Sequence, residues 1–411
     1  MISTTGGIPG MLRRALLVAL LIGLCAPPPA HAQTIRDQQW HLDALAVPKA
    51  HEYSRGRGVV VAVVDSGVDV TAPDLAGGAV LPGAGFGSAT GTGGTEDTDG
   101  HGTAMAALIA GRGVDGGAQG VAPEATILPV SVGSDGAKFT TTAVAEGITW
   151  AVDQGADVVN LSLTSEATLT PDLLRAVNHA FDHDVVVVAG TGNDGVERIG
   201  APANIRGVLA VAGTERDLVP WGSSNTGPET VLAAPAKGIV SAVPRSVVDT
   251  GYAEMDGTSA ATALVSGAAA LVRATYPDMN AASVVNRLIT TATDAGVPGR
   301  DDTTGFGQVD PVAAITADVA DVQRNPLSPP PRTTAEPVPT SSEPRAERAV
   351  NGPAWGDGAR AGIVLGGLLA VLVGVAVAGA LLSRTRRPDP PPPVHREIPP
   401  PPEEFWKRTQ W

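Results

Sequence analysis

The run Gly58-Val59-Val60-Val61-Ala62-Val63-Val64 is apolar at every position after its glycine. A strand with one face in water alternates apolar and polar residues. A strand that is apolar on both faces is buried on both, as in a parallel sheet covered by helices. Further strand-like runs lie at Ala125–Val132, Ala156–Leu163, Val185–Ala189 and Val208–Gly213. Between them, helices are expected at His101–Arg112, Thr141–Gln154 and Pro171–His183, the last with proline in its first turn. A long Ala/Val/Leu-rich helix is expected at Ser259–Tyr276, stopped by Pro277. Strand and helix taking turns predicts an α/β fold: a parallel sheet flanked by helices, with right-handed crossovers. In such folds, sites form at the carboxyl ends of the strands.

This pattern fills only the middle of the 411 residues; the ends have a different character. Arg13 and Arg14 precede a 12-residue apolar run, Ala15–Ala26, followed by Ala30-His31-Ala32. That is the plan of a secretory leader, 1–32, cut after Ala32. The run is too short to span a bilayer. It contains the only cysteine, Cys25, preceded by Leu24 rather than the small residue a lipoprotein signal needs. One cysteine allows neither an intramolecular disulfide nor a multi-cysteine metal site. Ala361–Leu382 is 22 residues without a charge. As a helix it would be about 33 Å long, enough for the hydrocarbon core. Arg384, Arg386 and Arg387 follow it, against Arg360 just before. A single-pass span at the cell membrane is therefore expected, with residues 383–411 cytoplasmic and the rest extracytoplasmic. Seven prolines in the 19 residues Pro326–Pro344 read as a stalk, and nine in the 15 residues Pro388–Pro402 as a Pro-rich tail. The expected order is leader 1–32, N-terminal extension 33–57, globular domain 58–322, stalk 323–360, transmembrane helix 361–382 and tail 383–411. The net charge of −14 argues against a nucleic-acid partner.

Three segments put chemistry at strand ends or helix starts. The first strand runs into Asp65-Ser66-Gly67, Asp99-Gly100-His101-Gly102-Thr103 opens a helix, and Gly257-Thr258-Ser259-Ala260-Ala261 opens the long apolar one. Singly, these read as a turn, a loop histidine and a helix cap. Together they supply an acid, a base and a nucleophile. A serine hydroxyl needs a base to take its proton, histidine does so near neutral pH, and a carboxylate holds the imidazole and stabilises its cation. A fourth segment, Gly190-Thr191-Gly192-Asn193, can aim the Asn193 amide at a developing oxyanion beside the Ser259 N–H.

The motifs around Asp65, His101 and Ser259, in that order, resemble the three signatures of the subtilisin-like serine proteases. The order differs from chymotrypsin-like chains (His, Asp, Ser) and from α/β-hydrolases (Ser, acid, His). The resemblance runs from about Gln39 to Pro311. It places Asn193 at the family's oxyanion position and makes Asn160-Leu161-Ser162-Leu163 similar to the strand that pairs with bound peptide. It closes on Gly305-Phe306-Gly307-Gln308-Val309-Asp310-Pro311. It implies a subtilisin-like fold and a serine endopeptidase acting on protein or peptide substrates, with Ser162, Leu163, Thr164 and Gly192 at the substrate. The whole plan of leader, one domain, stalk, span and tail resembles the mycosins, membrane-anchored proteases of type VII secretion systems. That likeness implies a secretion complex as partner, and a short extension (here 33–57, with Trp40 and Leu42) packed on the domain. Mycobacterial mycosins usually carry disulfides here; this chain cannot. The alternative is a mainly structural component of a secretion complex, with proteolysis dispensable.

No cofactor is implied. The acidic loop Glu96-Asp97-Thr98-Asp99 offers ligands for a structural calcium ion, but reads more simply as a solvated loop. Gly77–Gly94 reads as a flexible surface loop; it lacks the Lys of a phosphate cradle. His51, His179 and His183 read as surface or helix residues, and His41 as part of the packing of the extension.

Overall fold

The computed structural model describes residues 33–78, 80–133, 139–164, 169–328 and the backbone of 408–410. The expected leader, span, and nearly all of the stalk and tail lie outside these residues. Among the described residues no helix is long and apolar enough to cross a membrane.

The apolar run becomes β1 (Val60–Asp65), buried at every position after Val60. The other strands of its sheet are β2 (Ala84–Gly85), β3 (Thr126–Ser131), β4 (Val158–Leu161), β5 (Val186–Gly190), β6 (Leu209–Thr214) and β7 (Leu232–Pro235). Their spatial order is β2-β3-β1-β4-β5-β6-β7, and every pairing is parallel. After β1 the chain forms the edge strand β2 and then β3 between the two on one side, and crosses to β4 on the other. β1 is therefore the topological switch point, where open parallel sheets form their crevice. Asp65 is its last residue. A small second sheet pairs β8 (Ile239–Ala242) antiparallel with β9 (Tyr252–Asp256), and Arg408–Gln410 lies parallel beside β9.

Helices α1 (His101–Ala110), α2 (Thr141–Asp153), α3 (Pro171–Asp182), α4 (Thr258–Thr275) and α5 (Ala281–Thr290) flank the main sheet. Thr140 and Thr170 cap α2 and α3, and Asn280 caps α5, each through its side-chain oxygen. α4 packs on β4 to β7 and on α1. From Thr258 to Arg273 every residue of α4 is buried except Ser259. A helix that is apolar all round belongs inside the core, so an accessible residue in its first turn stands out.

Two expectations are corrected. Gly77–Gly94 is not a flexible loop: Ala84 and Gly85 pair with Val130 and Ser131 as the edge strand β2. Its glycines permit close backbone approach, since a Cβ on Gly83 would lie 2.2 Å from the Pro129 carbonyl oxygen and one on Gly85 2.0 Å from that of Ala89. The stalk assigned from residue 323 is held on the domain as far as Ser328, with Asn325 Nδ2 donating to Gly207 O at 2.8 Å.

The extension forms three short helices, Ile35–Gln38, Trp40–Ala44 and Val47–Ala50. Leu42 is fully buried, and Gln39 bonds Gln119 N and O and Val240 O. Trp40 Nε1 donates to Gly238 O, with the Arg216 guanidinium 4.5 Å from its ring. Gln119 bridges to Arg112, just past the end of α1 remote from His101.

His41 is also fully buried, and neither ring nitrogen has a hydrogen-bond partner among the described residues. Burial, helped by Arg36, pushes its pKa from 6.5 down to about 3. Between those values the unfolded chain binds a proton that the folded chain does not. The stability is therefore complete above about pH 6.5 and falls below it by up to about 1.4 kcal/mol per pH unit. A His41→Leu chain is expected to be about 2–3 kcal/mol more stable than the parent at pH 4.5, with a smaller gain at pH 7.5. Urea unfolding of both chains at the two pH values measures this; equal pH dependence would refute it.

Candidate active site

Asp65 ends β1 and His101 begins α1, whose N-cap Gly100 holds a φ of +95° that favours glycine. His101 Nδ1 lies 2.7 Å from Asp65 Oδ1, with the carboxylate fully buried and the imidazole 12 % exposed. The same Oδ1 accepts from Ser66 N at 2.8 Å, while Oδ2 is buried with no donor among the described residues. Burial alone would push the His101 pKa down. The Asp65 charge and hydrogen bond, with Asp99 and Asp97 behind them, outweigh it, so the pKa sits above the usual histidine value.

Ser259 is the second residue of α4, where unpaired backbone N–H groups and the helix dipole favour negative charge. It is locked to the end of β4 by a reciprocal pair: Ser259 Oγ donates to Ser162 O at 3.0 Å, and Ser162 Oγ donates to Ser259 O at 2.9 Å. Behind them Asn160 Nδ2 donates to Ser162 Oγ, and Asn160 Oδ1 accepts from Ser266 Oγ, both at 2.9 Å. Asn160 and Ser266 are fully buried. Helix α4, which carries Ser259, and helix α1, which carries His101, pack on each other.

Asn193 lies beyond the end of β5. Its Oδ1 accepts from Thr258 N and Thr258 Oγ1, both at 2.9 Å. That fixes which end of the amide is oxygen and turns Nδ2 the other way. A Cβ on Gly257 would lie 3.4 Å from Asn193 Nδ2 and 3.7 Å from Ser259 N. The two donors thus border one small space beside Ser259, the geometry of a hole for an oxyanion.

The expected substrate residues lie at the ends of β4 and β5. Ser162 is buried, Leu163 half-buried against the core, and Thr164 exposed. A Cβ on Gly192 would meet Thr164 Cγ2 at 3.4 Å and Asn225 Nδ2 at 2.4 Å, so Thr164 and Gly192 face each other and position 192 must be glycine. Asn225 holds this rim through its N–H on Gly192 O and its Oδ1, which accepts from Asp194 N. Neither Asn225 nor Ser266 is marked in the sequence; both come from segments whose pattern says only loop or core helix. The acidic loop is not solvated throughout: Asp97 is 5 % exposed, with both oxygens taken by protein donors. Among the described residues no group of three or more His, Cys, Asp or Glu side chains could hold a metal ion.

Of the remaining histidines, the ring of His51 contacts Val121 O, His179 pairs with Asp153, and His183 contacts His179 O.

Residues 56–307 match the model of the subtilase family. Subtilisin BL of Lederbergia lenta is 38% identical over 259 residues, 62% of this chain and 92% of the relative. Thermitase of Thermoactinomyces vulgaris is 38% identical over 236 residues, 57% of this chain and 82% of the relative. Among solved structures, the MycP3 protease from the type VII (ESX-3) secretion system aligns with a TM-score of 0.59 at 33% identity, covering 68% of this chain and 88% of that one. MycP1 from Mycobacterium smegmatis aligns at 0.62 and 28%, covering 75% and 91%. The seven-stranded parallel sheet, the matched span of 252 residues and relatives covered over most of their length carry one conclusion: the chain belongs to the subtilase family of serine endopeptidases.

Proposed function

We propose that this endopeptidase is anchored in the cell membrane with its catalytic domain outside, and serves a type VII secretion system by cleaving protein or peptide substrates. Ser259 attacks the peptide carbonyl, and His101 takes the serine proton and returns it to the leaving amine. Asp65 orients the imidazole and balances its charge, while Asn193 Nδ2 and Ser259 N hold the oxyanion. The substrate backbone lies along Ser162–Thr164 as an added strand. The observation that carries this reading is the 2.7 Å His101–Asp65 contact, with Ser259 an accessible residue in the first turn of the buried helix that packs on the His101 helix. The secretion role rests on likeness to the MycP proteases and on the leader and apolar segment of the sequence.

A serine-directed fluorophosphonate tests the nucleophile: the parent chain labels and Ser259→Ala does not. Persistent labelling of the variant would sink the assignment. Comparing new N-termini in cells carrying the parent or Ser259→Ala then identifies the substrates. An Asn193→Ala chain is expected to lose 10²–10³-fold in kcat, about 3–4 kcal/mol, with KM little changed; steady-state kinetics on a peptide amide decide it.

The span has its own test. A cytoplasmic tail and the pairing of Arg408–Gln410 with β9 exclude each other, because β9 belongs to the outer domain. A Gln410→Cys chain that reacts with an impermeant maleimide only after lysis supports the span. Reaction in intact cells supports the pairing.

A further inference from the structure

Asp97 belongs to a loop that the chemistry at Ser259 does not use, yet its surroundings are unusual for a loop carboxylate. It is 5 % exposed. Its Oδ1 accepts from Ser66 Oγ at 2.9 Å, Gly100 N at 2.9 Å and Asp99 N at 3.1 Å. Its Oδ2 accepts from Thr103 N at 2.9 Å and Thr103 Oγ1 at 2.6 Å. Two of those partners reach further. Ser66 Oγ accepts from Gly102 N, and Thr103 Oγ1 accepts from Asp69 N, each at 2.9 Å. The turn after β1 and the first turn of α1 are thus stitched together through one carboxylate. The two backbones touch: a Cβ on Gly102 would lie 2.1 Å from Gly67 O and 3.1 Å from Asp65 Cβ. Asp65 sits on one side of this seam and His101 on the other.

We propose that Asp97 is a positioning residue for the reaction at Ser259: it clasps the Asp65–Gly67 turn to the start of α1 and so holds His101 on Asp65, while its charge favours the imidazolium. The inference rests on the proposed roles of Ser259 and His101. A neutral side chain could close a loop. Burial pushes the Asp97 carboxyl above its usual range while the Thr103, Gly100 and Ser66 donors pull it back, and once ionised it sets a negative charge near the imidazole in surroundings that screen it poorly. The charged groups acting on His101 are Asp65 at the end of β1, and Asp97 and Asp99 ahead of α1. As carboxylates, all three act on the imidazole in the same direction. Losing one of them lowers the affinity of the imidazole for its proton, and the acid limb of kcat/KM, where His101 must be neutral, moves to lower pH.

The test is the pH profile of peptide-amide hydrolysis by the full chain, its Asp97→Asn variant and its Ser66→Ala variant. Asp97→Asn is expected to lose about tenfold or more in kcat with KM within about twofold, and to shift the acid limb down by about half a pH unit. Ser66→Ala removes a rung of the clasp and keeps the charge, so kcat falls and the limb moves less. Parental kcat in Asp97→Asn overturns the proposal, as does a loss of kcat with an unmoved limb, which marks a merely structural role. Should Asp97→Asn not fold, Ser66→Ala decides: a fall in kcat at constant KM supports the clasp, and parental kcat overturns it. A parent chain without turnover would overturn the Ser259 reading and this one with it. A fully active parent beside an unchanged Asp97→Asn overturns this one alone.

Discussion

A Ser259→Ala chain is expected to cleave a peptide amide about 10⁶-fold more slowly than the parent at saturating substrate, with KM and thermal midpoint almost unchanged. The loss is this large because no neighbour can take over. Around Ser259, the end of β4 offers carbonyls and the Ser162 hydroxyl, and the latter is already committed to Ser259 O. Stability should hold because alanine removes a single hydrogen bond, to Ser162 O, from a partly exposed position. Such a bond is worth about 1 kcal/mol net. The members of a triad such as the one proposed act as a unit, so His101→Ala should fall nearly as far, and the double variant little further. What remains is the contribution of the oxyanion donors and of substrate binding, about 10³–10⁴ over water. Measuring kcat for the three chains decides the matter. A Ser259→Ala chain with a tenth of parental turnover would remove Ser259 from the chemistry.

The parts of this molecule legible in its sequence are those where local pattern and global burial agree. β1 announces itself because every residue after Val60 is buried, and the long helix because it runs through the core. Their ends differ from expectation by a residue or so: Ser259–Tyr276 is Thr258–Thr275. The strands β7 to β9 are four or five residues long and carry Pro, Ser or Glu, so their pattern does not rise above that of loops. The glycine-rich stretch misled for a physical reason. A glycine chosen for freedom and one chosen for close approach look alike until Pro129 O is found 2.2 Å from where its Cβ would be. Asp97 misled in the same way. Acidic residues in a row suggest solvent, and only the fold brings Ser66 and Thr103 to meet one of them. The residues of the proposed site, Asp65, His101, Ser259 and Asn193, stand out together in the sequence because each lies in a short motif at a strand end or helix start. Their helpers Ser266 and Asn225 are 106 residues from Asn160 and 31 from Asp194, respectively, and no local pattern links them.

The manner in which Asp65 holds His101 leads to a second large effect. Its Oδ1 accepts both the imidazole Nδ1–H and Ser66 N, and its Oδ2 has no donor among the described residues. An asparagine whose carbonyl oxygen takes the place of Oδ1 can keep both hydrogen bonds, and with them the imidazole tautomer. It cannot balance the imidazolium that forms, in the proposed mechanism, as Ser259 gives up its proton. Two unit charges about 3 Å apart, at an effective dielectric constant of about 20, attract by about 5 kcal/mol. Asp65→Asn is therefore expected to lose about 10³–10⁴-fold in kcat, with KM nearly constant. The pH profile separates loss of charge from loss of geometry. Asp65 raises the His101 pKa, so removing its charge moves the acid limb of kcat/KM to lower pH while the plateau falls. A limb that stays in place would mean that the Asp65 charge does not act on His101. A fall of less than tenfold would mean that the Asp65 charge is not what stabilises the imidazolium, and the role would pass to the carboxylates of the 97–99 loop.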